Sequence, residues 1–238
     1  MSAELTPAFV LHQRPYRETS LLLDVFSEQY GRVSLIAKGV RSKKRSQSGI
    51  LQLYQPLLLS WIGRGDLQTL TAAEVDKPRY ILQANSALCG LYINELMVKL
   101  LPLNLPEADI FIAYQSVLLH LQDADNTERQ LRLFEKRLLS SLGYGLVLDR
   151  EVETEQEIDE RRRYFYRPDS GLYHWYEGMK ELPISGRSLR HLTTECDFDK
   201  ESLLEIKHLM RSVIHFYLGG KPLQSRALFA QLQQHANE

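Results

Sequence analysis

Residues 20–45 read SLLLDVFSEQYGRVSLIAKGVRSKKR, and their pattern decides the fold of the first third of the chain. Ser20 to Phe26 and Arg32 to Ala37 are short, rich in branched residues and roughly alternating, which predicts two strands joined by a turn at Glu28-Gln29-Tyr30-Gly31. Working outward, Phe9 to Leu11, Leu51 to Trp61 and Gln68 to Ala73 repeat the strand signal, and Gly63-Arg64-Gly65-Asp66 suits a tight hairpin. Five short strands in one small segment predict a Greek-key barrel of the OB type, with an SH3-like barrel as the rival.

Beyond Pro78 the period changes to that of a helix. Leu88, Leu91, Glu95, Val98 and Leu101 share a face before Pro102, and Pro106-Glu107 opens a second helix carrying Ile110, Ala113, Val117 and Leu121. Thr127 with Gln130 forms a candidate capping box for a third, which carries Leu131, Phe134, Leu138 and Leu142 to Gly143. Leu203, Ile206, Met210, Val213 and Tyr217 predict another helix ending at Gly219-Gly220, and Ser225 to Gln234 a last short one. Between them, Asp149 to Glu160 is acid-rich, and Tyr164 to Trp175 alternates around Pro168-Asp169-Ser170-Gly171 as a hairpin. The expected architecture is α+β: an N-terminal OB-fold β-barrel over residues 1–80, then an all-helical domain over residues 81–238 with a small β-hairpin insert at about 149–178.

The last part of the opening stretch also carries the strongest charge signal. From Gln29 to Gly65 there is no Asp or Glu, while Arg32, Lys38, Arg41, Lys43, Lys44, Arg45 and Arg64 are all cationic. With a net charge of −1 for the whole chain, nucleic-acid binding has to come from such local segregation. A Gly- and Ser-rich cationic loop neutralises phosphates and gives affinity with little base readout; the alternative is a merely solvated loop. Tyr16, Tyr30, Tyr54 and Trp61 lie on barrel segments, where rings either stack bases or fill the core. The candidate DNA-binding set is Arg14, Arg17, Lys38, Arg41, Lys43, Lys44, Arg45 and Tyr54. A second basic row, Arg129, Arg132 and Lys136, occupies one side of the third helix next to Phe134; the alternative there is a charged solvent face balanced by Glu128 and Glu135.

Several chemistries lack their motifs. No glycine-rich phosphate loop ends in Lys-Ser or Lys-Thr, and neither His-Glu-x-x-His nor Gly-x-Ser-x-Gly occurs. Cys89 and Cys196 stand far apart, and His208 and His215, seven apart, read as packing or surface residues. The expectation is therefore a non-enzyme with no cofactor and no metal. No secretion signal or bilayer-length apolar run is apparent, which points to the cytoplasm. A nuclease with an OB domain would need clustered carboxylates, and a pure protein adaptor would lack DNA affinity.

Ordered segments along nearly the whole chain resemble one family. Arg17-Glu18-Thr19-Ser20, Ala37-Lys38-Gly39-Val40-Arg41, Tyr92-Ile93-Asn94-Glu95-Leu96, Phe134-Glu135-Lys136-Arg137-Leu138-Leu139, Leu142-Gly143-Tyr144 and Leu218-Gly219-Gly220-Lys221-Pro222-Leu223 are similar to RecO proteins, in the family's order. The resemblance implies a nucleoid-associated recombination mediator in DNA repair. Such a protein binds single- and double-stranded DNA, anneals complementary strands, and with RecR helps load RecA onto strands coated by single-strand binding protein. It further implies that the acidic, Phe-ending tail of that binding protein is a partner, for which Arg129, Arg132, Lys136 and Phe134 are the candidate site. Many family members carry a four-cysteine zinc site after the Leu-Gly-Tyr segment; here that region holds Asp149, Glu151, His174 and Tyr176, which implies the metal-free branch.

Overall fold

The computed structural model describes residues 2–42, 49–123 and 126–236. Five strands, β1 (Ser2–Tyr16), β2 (Ser20–Ser27), β3 (Gly31–Ala37), β4 (Leu57–Ile62) and β5 (Leu67–Val75), close into a barrel in the order β1-β2-β3-β5-β4. All neighbouring pairs are antiparallel except β3 with β5, and β1 closes the barrel by pairing with both β2 and β4. This is the OB-like arrangement, and it removes the free edges that would otherwise template aggregation. Alternation in β3 is strict, with Val33, Leu35 and Ala37 pointing inward to join Val10, Leu23, Val25, Leu51, Leu57, Leu59 and Trp61 in the core.

Six helices follow or flank a second small sheet: α1 (Ala84–Leu100), α2 (Ala108–Gln122), α3 (Thr127–Ser141), α4 (Gly186–Thr194), α5 (Lys200–Tyr217) and α6 (Gln224–Ala236). The sheet, β6 (Arg163–Arg167), β7 (Gly171–His174) and β8 (Ile184–Ser185), has the order β7-β6-β8. By compactness the chain forms two units, Met1–Asp125 with Leu223–Glu238, and Asn126–Pro222. Thus α1, α2 and α6 share a unit with the barrel, while α3, α4, α5 and the small sheet make the other.

In the barrel unit, close backbone approach and buried hydrogen bonds join helices to strands. Gly31 has a φ of +67°, and a Cβ there would lie 1.8 Å from the Leu105 carbonyl oxygen, so only glycine fits the turn into β3. Beside it, Arg32 donates from Nε to the Leu101 carbonyl at 2.9 Å, and the Asn104 amide donates to the Arg32 carbonyl at 2.8 Å. Deeper, the Asn94 amide on α1 donates to the Leu11 carbonyl of β1 at 2.9 Å and accepts from the Tyr114 hydroxyl of α2 at 2.7 Å. Asn94 is 2% exposed, so its partners have no water to fall back on. Glu95, next in sequence, accepts from the Gln224 and Ser225 amides and the Ser225 hydroxyl, acting as a cap for α6 from another helix. Burial alone would push this carboxyl up, but the Ser225 and Gln224 bonds and the Lys99 ammonium outweigh it and hold it below its ordinary value.

In the second unit, α4 starts at Ser185, whose hydroxyl accepts from the Ser188 amide, and α5 starts with a reciprocal capping box between Asp199 and Ser202. Tyr217 stacks on Tyr144 at 4.0 Å and donates its hydroxyl to Asp169 at 2.8 Å; burial and the neighbouring carboxylate push it up to about 12.

Two outcomes follow. Replacing Asn94 with Leu strands the Tyr114 hydroxyl and the Leu11 carbonyl and should cost about 2–6 kcal/mol, at about 1–3 per unsatisfied group, read from denaturant unfolding; a loss under half a kcal/mol would show that the bonds contribute nothing net. Because the folded Glu95 carboxyl titrates below its unfolded value, its contribution is complete above the unfolded pKa and disappears as pH falls through the folded one. The protection factors of α6 amides, measured against the intrinsic exchange rate at each pH, should therefore fall in acid in the native protein, and Glu95→Gln should show weaker α6 protection already at neutral pH with less change on acidification.

Candidate nucleic-acid interface

The barrel gathers cations at one end. Arg14 near the end of β1 pairs in register with Leu22, Leu21 pairs with Ala37, and the Arg41 amide donates to the Thr19 carbonyl at 2.9 Å. These pairings bring Arg14, Arg17, Lys38 and Arg41 to the same end, and all four side chains are exposed. Arg14, Lys38 and Arg41 make no ion pair with any described residue, and Arg17 lies over the Tyr16 ring at 5.2 Å from its centroid. Positive φ at Arg17 and Gly39 shapes the two turns that display them. Lys43, Lys44 and Arg45, which continue the cationic run, lie outside the described residues.

Not every cation of the acid-free stretch belongs to this end. Arg32 is engaged by the Leu101 carbonyl and by Asp24. Arg64 sits in the β4–β5 turn, and since β5 begins with Leu67 opposite Ser34, that turn lies at the other end of the barrel from Lys38.

The aromatic expectations divide in the same way. Trp61 is 1% exposed and meets Tyr30 edge-on at 5.2 Å in the core. Tyr54, expected to contact DNA, is instead buried, with its hydroxyl donated to the Ala87 carbonyl and its ring against Gly90; burial raises its pKa strongly. Its positive φ of 64° turns the chain inward before Pro56, which breaks the single strand expected from Leu51 to Trp61. Tyr16 alone of the four remains at the cationic end, half-buried.

The row on α3 expected to receive a partner's acidic tail also needs correction. Arg132 is buried and pairs with buried Glu135 at 3.0 Å, and Phe134 is buried in the core. Lys136 donates to the Leu192 and Thr193 carbonyls and to Glu195, while Arg129 donates to the Glu195 carbonyl and covers the Phe198 ring. These cations satisfy the orphan carbonyls at the C-terminus of α4, the negative end of its dipole. Glu195 is held below its ordinary value because Lys136 and Arg137 outweigh the upward push of its burial. Helical spacing correctly placed the row on one side; it could not show that α4, a helix missing from the sequence reading, covers that side.

In the insert, Glu151 accepts from the Thr154 hydroxyl at 2.7 Å and lies 3.4 Å from the His174 imidazole. Its amide and that of Val152 donate to the Gln156 and Leu172 carbonyls. Among the described residues no group of three His, Cys, Asp or Glu side chains is arranged to hold a metal ion, and no helix is long and apolar enough to cross a membrane.

The buried pair gives a direct expectation. Arg132→Met, which deprives Glu135 of its guanidinium, should destabilise the protein by about 3–5 kcal/mol, whereas Arg132→Met with Glu135→Leu should recover much of that loss. A double-mutant cycle by denaturant unfolding reads both, and a single variant as stable as the parent would mean that Arg132 turns out to solvent.

The comparisons with known proteins match this architecture. The family model described as Recombination protein O N terminal matches residues 1–79, and that for Recombination protein O C terminal matches residues 82–227. Their junction falls between β5 and α1, whereas the division by compactness falls after α2 and again before α6. A protein named DNA repair protein RecO from Nitrosococcus oceani is 44% identical over 241 residues, covering 100% of this chain and 97% of its own. Its namesakes from Coxiella burnetii and Aliivibrio salmonicida are 42% and 39% identical, covering 94% and 96% of this chain and 96% of their own. With both family models matched in order on a closed barrel and its following helices, the chain belongs to the RecO family of DNA repair proteins.

Proposed function

We propose that this protein is a recombination mediator that binds DNA, single- and double-stranded, at the cationic end of its barrel and anneals complementary strands without breaking a covalent bond. The observation that supports this reading is the convergence of Arg14, Arg17, Lys38 and Arg41 on one end, exposed and without carboxylate partners among the described residues. Two strands repel through their phosphates; a cationic surface lowers that repulsion and leaves the base edges free to pair. Tyr16, flanked by Arg17, offers a ring against which an unpaired base can stack.

Family membership supports the finer partners: RecR, RecA loaded onto strands coated by single-strand binding protein, and the acidic tail of that protein. Arg129 and Lys136 are committed to the C-terminal end of α4 and Arg132 to Glu135 on α3 itself, so the tail is proposed as a partner with no α3 residue assigned to it. A nuclease reading finds no support in clustered carboxylates among the described residues.

The test is a salt titration of oligonucleotide binding. Lys38→Ala with Arg41→Ala should weaken binding to all sequences alike and make the log–log salt slope shallower by roughly 1.4 for single strands, at about 0.7 per phosphate contact. Lys43→Ala, Lys44→Ala and Arg45→Ala together should lower it by roughly two on the same scale. An unchanged slope in both variants would remove this end of the barrel as the DNA surface, and magnesium-dependent cleavage of the oligonucleotide would replace mediation with nuclease chemistry.

A further inference from the structure

A cavity of about 130 Å³ opens in the second unit, where β6, β8 and α5 meet. Its apolar wall is formed by Phe165, Leu182, Pro183 and Leu209, and its polar wall by Glu205, His208 and Ser212. This is well below the ~300 Å³ at which pockets begin to hold whole small-molecule ligands, so it has room for little more than one side chain.

The charge inside is one-signed. Glu205 uses one oxygen to accept from the Ser185 amide at 2.9 Å and the Ser185 hydroxyl at 2.7 Å. Its other oxygen accepts no hydrogen bond from a described residue, and no described cation pairs with it. The second carboxylate, Glu181, is already approached by Arg167 at 3.5 Å. A half-buried carboxylate with one oxygen open, in a slot with apolar walls, is complementary to a group with an aliphatic stem and a cationic head.

The rim indicates what carries that group. Leu182 is 67% exposed on the loop before β8, and Leu204 is 52% exposed one turn before His208 on α5. An exposed leucine in the lining, Leu182, and another one turn along α5 from the lining residue His208, Leu204, suit a polypeptide, whose neighbouring side chains can cover them while one enters the slot.

From this geometry we infer that the cavity is a docking slot for a partner polypeptide that inserts an arginine side chain onto Glu205 and lays flanking apolar residues over Leu182 and Leu204. The open Glu205 oxygen can accept a guanidinium N–H, and the planar, weakly hydrated head of arginine suits a slot with apolar walls better than a hydrated ammonium does. The slot belongs to the second unit and the cationic end of the barrel to the first, and the slot selects the opposite charge.

The experiment is an amide-shift titration of the full chain by NMR with the peptide acetyl-Leu-Arg-Leu-amide, its citrulline counterpart and acetyl-arginine-amide as probes. Saturable shifts at Ser185, Glu205, His208 and Ser212 are expected with the arginine peptide. Affinity should fall about tenfold for the citrulline peptide, in line with one charge-assisted hydrogen bond. Glu205→Gln, which retains an acceptor for Ser185, should lose affinity for the arginine peptide to the same extent. Ser212→Tyr, which fills the slot from its exposed side, should abolish the shifts while the remaining spectrum stays native. Equal binding of arginine and citrulline peptides, or no saturable shift at these four residues, overturns the proposal. Binding of acetyl-arginine-amide as tight as that of the peptide overturns the polypeptide partner.

Discussion

Much of the barrel unit depends on how closely the segment between α1 and α2 approaches the turn into β3. With Gly31 at a positive φ and the Leu105 carbonyl at the site of its missing Cβ, the strand turn and the helix connection can only be built against each other. Arg32 then finds its acceptor on Leu101 and gives its own carbonyl to Asn104. This contact restrains β3, and with it the start of the segment that carries Lys38 and Arg41. The Asn94 bonds to β1 and α2 restrain the opposite wall. The cationic end is thus a flat consequence of register: once β1–β2 and β2–β3 pair as they do, the four basic residues have no other place to go.

Sequence periodicity was informative where a face is both apolar and half-buried. Strands β2 and β3 were legible for that reason, as were α1, α2 and α5. It underestimated β1, whose signal stopped at Leu11 because the flanks carry Pro7, Arg14 and Pro15, although pairing with β4 from Ser2 to Ala8 and with β2 from Ala8 to Tyr16 keeps the strand extended. The helix α4 escaped because nine residues with only Leu189 and Leu192 as buried apolar side chains give no repeat to detect. Its start was nonetheless written locally, in Ser185 and Ser188, and that of α5 in Asp199 and Ser202. The third helix takes Asn126, in a left-handed conformation and with no side-chain cap bond, as its N-cap residue, one position before the expected Thr127.

The candidate site was legible as a composition and partly as a place. One-signed charge from Gln29 to Gly65 pointed to the barrel, but composition counts Arg32 and Arg64 equally with Lys38, and only strand register separates them. For aromatic residues the sequence offers even less, since Tyr54 and Trp61 carry the same signal whether a ring stacks on a base or fills a core. On α3, Arg129 and Lys136, exposed in an isolated helix, become internal ties to the end of α4, and Arg132 is buried against Glu135.

The placement of α6 has a temporal consequence. Its first turn is capped by Glu95, yet 129 residues separate Glu95 from Gln224, and the whole second unit is made between them. On a ribosome adding about 5–20 residues per second, α1 exists for several seconds or more before its capping partner is synthesised. During that interval the barrel is already complete, while the surface of α1 that will receive α6 stays uncovered. Maturation of the first unit is therefore tied to completion of the second, so that a chain stalled between them presents a finished barrel on an unfinished body.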